Sequence, residues 1–267
     1  MTSLRRSLLV VLAIAQFAVP ALPNFVDGLT PIQGISGQVP PPEQPAGYAF
    51  SIWFVIFALI LVYAVRQLLP VTRNAVLDEK IGWLAVGATA TNVLWMALAI
   101  TLGSGWYLVA VIFTILAFAL ATLFVVLAGR AHWSAFDRWI TQPAFAVLAG
   151  WLSAAVWLNL ASQLRQSAIP AVAAQSTETI GVAVIGAVTI TGLIVGWASR
   201  WNAFYLATLA WAFAAVAVQN VTVLQNPLIA AGAGVLALVS LIGVVRSGLT
   251  EPADREAEPA GSRAHSL

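Results

Sequence analysis

Eight long apolar segments dominate the sequence and constrain the fold more than any other feature. Each is close to the length that an α-helix needs to cross a bilayer, about 17–25 residues. Because lipid offers backbone groups no hydrogen-bond partner, such segments cross the membrane as helices. We therefore predict an all-α integral membrane protein with eight transmembrane helices. The predicted spans are residues 7–22, 50–69, 81–102, 106–127, 139–160, 180–197, 203–223 and 228–245.

The composition supports a membrane protein and narrows its chemistry. Of the 267 residues, 61% are hydrophobic and 8% are charged, whereas soluble domains carry about 25% charged residues. The sequence contains no cysteine, which excludes disulfides, thiolate nucleophiles and thiolate metal ligands. A net charge of +2 gives no reason to expect a nucleic-acid partner.

The basic residues predict how the helices are oriented. Lys and Arg collect in the cytoplasmic loops of membrane proteins. With the eight spans drawn, eleven of the twelve basic residues fall on one side, and Arg165 is the exception. We therefore predict that both termini are cytoplasmic and that the protein resides in a bacterial cytoplasmic membrane. The start of the chain (Arg5-Arg6, an apolar run, then Val19-Pro20-Ala21) also resembles a cleavable secretory signal, whose removal would leave seven helices.

The middle of the predicted spans carries no ionisable side chain, which argues against several functions. Such groups usually mark proton relays, ion paths or cofactor counter-ions. Lys80, the single lysine, starts a helix, and His132 and His265 lie in a loop and in the tail. A retinal Schiff base and paired haem ligation inside the bundle are therefore not expected. We expect no catalytic residue, no metal site and no required cofactor, so an enzyme is the less favoured class.

A proline-rich loop leads into an aromatic cluster at the start of the second span. Residues 40–53 have the sequence PPPEQPAGYAFSIW. Proline fixes φ and has no N–H to donate, which predicts a stiff, non-helical loop. We interpret loop 23–49 as an outer lid over a binding site. Its principal residues would be Pro41, Pro42, Pro45 and Tyr48.

Six residues on three spans, polar or aromatic except for Ala155, fall at one depth beneath this loop. They are Trp53 on the second span, Asn92 and Trp95 on the third, and Trp151, Ala155 and Asn159 on the fifth. Spacings of three and four residues place those on one span on a shared helix face. With a rise of 1.5 Å per residue, all lie in the outer half of the bilayer. The alternative is that the asparagines only join helices, a contribution of about 0.6 kcal/mol each.

Other aromatic residues have simpler interpretations. Tyr63 and Arg66, near the inner end of the second span, fit a loose sterol-contact pattern but are interpreted as interface anchors. Six tryptophans at predicted helix ends are assigned to the interfacial aromatic belt. They are Trp83, Trp106, Trp133, Trp139, Trp197 and Trp201.

Taken in order, these features resemble the TspO/MBR family, the tryptophan-rich sensory proteins related to the mitochondrial translocator protein. The matching motifs are the proline-rich loop before Phe50-Ser51-Ile52-Trp53, then Asn92-Val93-Leu94-Trp95, then Trp151-x-x-x-Ala155-x-x-x-Asn159. The resemblance covers roughly residues 7–165. It implies a five-helix bundle with a pocket beneath the first loop. Trp53, Asn92, Trp95, Trp151, Ala155 and Asn159 would line that pocket.

The resemblance also implies a function. The pocket would bind a porphyrin or another tetrapyrrole, for sensing or transport, in a chain that can form a homodimer. The expected partners are the lipid bilayer and a lipophilic small molecule. Three departures bear on which ligand is bound: Ser51-Ile52 replaces Gly-Pro, Phe57 replaces a tyrosine, and Ala99-Ile100 replaces paired phenylalanines. The alternatives are a secondary transporter of a small neutral or lipophilic substrate and a non-catalytic membrane scaffold.

Three further spans follow the region of resemblance. We divide the chain into a five-helix domain (residues 1–165), a three-helix extension (166–249) and a disordered polar tail (250–267). The extension is interpreted as a packing element that replaces or alters the dimer surface. Its motif Trp211-x-x-x-Ala215-x-x-x-Gln219 repeats the pattern of the fifth span, which leaves a second site as an alternative.

Overall fold

The computed structural model describes residues 2–31, 40–69, 75–102, 107–130, 135–166 and 169–249. Helices account for nearly all of these residues. They are α1 (Thr2–Ala18), α2 (Ile52–Arg66), α3 (Ala75–Leu102), α4 (Tyr107–Ala128), α5 (Ala135–Gln166), α6 (Pro170–Ala173), α7 (Thr177–Ala198), α8 (Ala203–Thr222) and α9 (Pro227–Leu249). The predicted disordered tail (250–267) lies outside the described residues.

Within the described chain, eight helical segments are long and apolar enough to cross a membrane. The predicted fold class and the number of spans are therefore confirmed. Two short 3-10 helices flank the proline-rich loop, Val19–Asn24 after α1 and Gly47–Ser51 before α2. The second contains Tyr48, so the predicted loop is helical at its end, from Gly47. The fifth span is longer than predicted, because α5 continues to Gln166.

Capping side chains set the starts of two C-terminal helices. The Ser176 hydroxyl accepts a hydrogen bond from the Thr179 N–H (3.0 Å) at the start of α7. The Asn202 side chain accepts from the N–H groups of Phe204 and Tyr205 at the start of α8. Such caps satisfy N–H groups that have no partner within the helix. Both helices therefore begin at a residue that the sequence specifies locally.

The core of the molecule runs through the first five helices and the last three without a break. Helix α5 contacts α2 and α4 and also α7 and α8. The rings of Tyr63, Phe124 and Phe145 meet near its first half, with centroids 4.3–5.5 Å apart. The division of the chain at residue 165 stays a prediction, but a packed core crosses it.

The interpretation of Tyr63 and Arg66 as interface anchors is wrong. Both side chains are buried, at 0% and 2% exposure, because this face of α2 turns toward the bundle and not toward the bilayer surface. Four of the belt tryptophans are exposed as expected: Trp83, Trp139, Trp197 and Trp201. The other two, Trp106 and Trp133, lie outside the described residues.

Helix α1 is packed into the bundle. Leu9 and Ala13 are fully buried, and the Gln16 side-chain oxygen accepts a hydrogen bond from the Asn92 amide on α3 (3.0 Å). Cleavage after Ala21 would remove this helix and leave the Asn92 N–H without its partner. The packing therefore favours a retained first helix over a cleaved signal.

Candidate functional site

A cavity of about 620 Å³ lies between α2, α3, α4 and α5, beneath the proline-rich loop. This volume falls in the range of roughly 300–1,000 Å³ that small-molecule sites occupy. Five aromatic side chains stand on its wall: Phe50, Trp53, Trp95, Phe113 and Trp151. Polar side chains interrupt this wall: Gln44, Asn92, Thr114, Asn159, Ser162, Arg165, Gln166 and Thr177. The cavity is thus mainly apolar, with polar groups set into its wall.

The structure places all six of the predicted pocket residues on the wall of this one cavity. They are Trp53, Asn92, Trp95, Trp151, Ala155 and Asn159. Helices α2, α3 and α5 therefore converge below the loop. The contribution of these residues to ligand binding stays a prediction.

One wall of the cavity, supplied by α4, was not predicted from the sequence. Ala110, Phe113, Thr114 and Ala117 line the cavity from this helix. Their spacing marks one helix face, which is the signal that was present in the sequence. The same pattern of small residues is also typical of helix packing in membranes. Spacing alone could not distinguish the two.

Aromatic rings form one side of the cavity by packing edge to face. The ring of Trp151 lies 5.5 Å from that of Phe50 and 6.4 Å from that of Trp53, at interplanar angles of 85° and 82°. Phe57, which replaces the tyrosine of the family, is buried and packs against Trp53 and Phe17. Such contacts stabilise aromatic pairs beyond the area they bury. The ring positions are therefore held by packing.

Both cavity asparagines also join helices. The Asn92 N–H donates to the side-chain oxygen of Gln16 on α1 (3.0 Å). The Asn159 N–H donates to the hydroxyl of Thr114 on α4 (2.8 Å), and this hydroxyl donates to the Ala110 carbonyl (2.7 Å). The interhelical role is therefore present at both positions. It holds each amide in a fixed orientation at the cavity wall.

The four predicted lid residues take different positions. Pro41 lines the cavity, together with Pro40 and Gln44. Pro42 and Pro45 are buried, and Pro45 lies on a second, much smaller cavity of about 20 Å³ toward α7 and α8. Tyr48 is half-exposed, and its ring packs edge-on against Trp211 of α8 (5.5 Å). The lid therefore has one side toward the cavity and another toward the C-terminal helices.

A charged pair joins the lid to the end of α5. Arg165 lies on the cavity wall, and its Nη1 is 2.5 Å from Oε1 of Glu43, whose side chain is 1% exposed. Arg165 is the basic residue that departs from the predicted charge asymmetry. Its positive charge is balanced there by the carboxylate of Glu43 in the lid. Because the two charges balance, this part of the wall has no net charge. It suits a neutral or amphipathic ligand better than a polyanion.

Fold and site together define a class: multi-pass α-helical membrane proteins with an aromatic cavity between their helices. The sequence model of the family described as TSPO-like protein matches residues 6–246. The chain therefore belongs to the TSPO-like family, which confirms the resemblance and extends it from residue 165 into α9. No curated protein and no solved structure matches the chain. Membership indicates a membrane protein of the ligand-binding or sensing kind.

Proposed function

We propose that the cavity binds a tetrapyrrole or a similar lipophilic molecule, and that the protein senses or transports it across a bacterial cytoplasmic membrane. The observation that carries this proposal is the 620 Å³ cavity with its five aromatic side chains. Aromatic faces stack on the rings of such a ligand, and fixed amide and hydroxyl groups orient it. The lid lies on the side away from the cytoplasm, as the charge asymmetry predicts.

Titration of the purified protein with protoporphyrin IX tests this function. Trp53, Trp95 and Trp151 lie on the cavity wall, so a bound porphyrin should quench tryptophan fluorescence in a saturable manner. Ala155→Phe places a ring in the cavity and should weaken binding by roughly tenfold or more, which is about 1.4 kcal/mol. The matched control is Ala119→Phe, at an exposed position of α4, and it should bind like the unmodified protein.

Two results would overturn the tetrapyrrole proposal. One is quenching that rises linearly with porphyrin concentration and does not saturate. The other is an Ala155→Phe variant that is folded and binds protoporphyrin IX with an unchanged dissociation constant, because the ligand would then lie elsewhere.

A further inference from the structure

Hydrogen bonds attach the proline-rich lid to α8, which is not one of the four helices between which the cavity lies. The Pro42 carbonyl accepts from the Asn220 amide (2.6 Å), the Ala46 N–H donates to the Ala215 carbonyl (3.1 Å), and the Ala49 carbonyl accepts from the Trp211 indole N–H (3.2 Å). The three partners extend from Trp211 to Asn220, so the lid contacts α8 over more than two helical turns. The lid from residue 42 to residue 49 therefore rests along α8.

Asn220 is the most constrained of these contacts. Its side chain is fully buried, and its amide nitrogen donates both to the Pro42 carbonyl and to the Val216 carbonyl of its own helix (2.8 Å). A buried polar group destabilises the fold unless it is hydrogen-bonded. Replacing Asn220 with an apolar residue would leave the Pro42 carbonyl without this donor.

Helix α7 supports the same part of the lid. A Cβ atom at Gly181 would lie 3.0 Å from the Pro42 side chain and 3.4 Å from Oε2 of Glu43. The lid therefore lies directly against α7 at Gly181. Thr177, at the start of this helix, lines the main cavity. The lid is held on one side by α5 through Arg165 and on the other side by α7 and α8.

We propose that Asn220 and Trp211 are positioning residues that hold the lid over the cavity and so determine how long a ligand stays bound. The inference rests on the proposed function, because it assumes that a ligand occupies the cavity. A loop already held in its bound position loses less conformational freedom on binding. Loosening the α8 contacts should therefore raise the dissociation rate while the cavity wall stays the same.

A thiol reporter tests the attachment without any ligand. The chain contains no cysteine, so Ala46→Cys provides a single thiol at a lid position that is 7% exposed. Maleimide should label it slowly, and roughly fivefold faster when Asn220→Ala or Trp211→Phe is added, which corresponds to one lost hydrogen bond. Gly47→Cys, whose Cβ meets nothing within 4 Å, should react fast in every background. Its labelling by an impermeant maleimide also reports which side of the membrane the lid faces.

Protoporphyrin IX then tests the consequence for binding. Asn220→Ala and Trp211→Phe should each raise the dissociation rate roughly fivefold. The matched control is Thr222→Ala on the same helix, because its exposed hydroxyl donates to the Val218 carbonyl of its own helix. Trp211→Phe keeps the ring contact with Tyr48 and decides the question if Asn220→Ala does not fold.

The outcomes separate this inference from the proposed function. Saturable binding with unchanged labelling and dissociation rates in both variants would overturn the role of α8. A protein that does not bind porphyrin saturably would contradict the proposed function, while the labelling rates would still decide whether α8 holds the lid.

Discussion

Small side chains on α5 let α8 approach it closely. A Cβ atom at Gly150 would lie 2.7 Å from Cβ of Thr208 and 3.0 Å from the Tyr205 carbonyl oxygen. One turn later, the Ser153 hydroxyl lies 2.9 Å from the Tyr205 hydroxyl. In lipid, helices associate through such close packing and hydrogen bonds. Because Trp151 stands on the same helix, this contact also fixes where the cavity wall lies.

Gly150→Ala should lower the thermal stability of the protein. The added methyl group overlaps Thr208, so the helices must separate, and overpacking of this kind costs about 1–3 kcal/mol. Thermal unfolding in detergent, followed by tryptophan fluorescence, should show a lower Tm. Gly186→Ala on α7 is the matched control, because a Cβ there meets nothing within 4 Å and alanine favours helix. Equal Tm values for the two variants would contradict the close contact between α5 and α8.

Helix periodicity was sufficient to predict which side chains share a face, but not what lies opposite that face. The spacing of Asn92 and Trp95 placed both on the cavity wall, because three residues make almost one turn. It could not supply Gln16 as the partner of Asn92, since several helices could have faced that amide. The interpretation of Tyr63 was wrong for the same reason. A tyrosine near a helix end is typical of the membrane interface, and only the positions of the neighbouring helices show that this one is buried.

At the scale of single elements, the lid depends on a contact with the end of α5. Arg165 lies in the last turn of that helix, where a cation also interacts favourably with the helix dipole. Its partner Glu43 is almost fully buried within the lid. Removing one member of a buried ion pair is more destabilising than removing both, because an uncompensated charge stays behind. The lid should therefore be sensitive to which of the two residues is changed.

Arg165→Gln should destabilise the protein more than the double variant Glu43→Gln with Arg165→Gln. We expect the single change to cost about 1–3 kcal/mol, less than the roughly 3–5 kcal/mol of a fully buried pair, since Arg165 is partly exposed. Tm values of both single variants and the double variant give the coupling between the two residues. Arg130→Gln, at an exposed position after α4, should leave Tm unchanged. If the double variant is as unstable as Arg165→Gln, the pair does not stabilise the lid.

At the scale of the whole molecule, the three C-terminal helices take part in both the core and the lid. From the sequence they were interpreted as an extension, because the region that resembles the family ended near residue 165. Trp211 and Asn220 connect these helices to the lid through hydrogen bonds. The bonded residues are separated in the sequence by 162 positions for Trp211 and by 178 positions for Asn220. No local pattern reports contacts over such separations. The repeated Trp-x-x-x-Ala motif at Trp211 marked the helix but suggested a second site, whereas the structure places Trp211 against the lid.

A chain that ends at Gln166 should lose stability and ligand binding together. It would expose the α5 surface at Gly150 and Ser153 to lipid, and the Pro42 carbonyl would lose its donor. We expect residues 1–166 alone to show a lower Tm than the whole chain and to bind protoporphyrin IX roughly tenfold more weakly or worse. Co-expression with residues 167–267 as a separate polypeptide should restore both properties, because the contacts between α5 and α8 are non-covalent, and the two fragments should co-purify. If residues 1–166 alone bind as tightly as the whole chain, the division at residue 165 marks an independent domain and the last three helices are not part of the site.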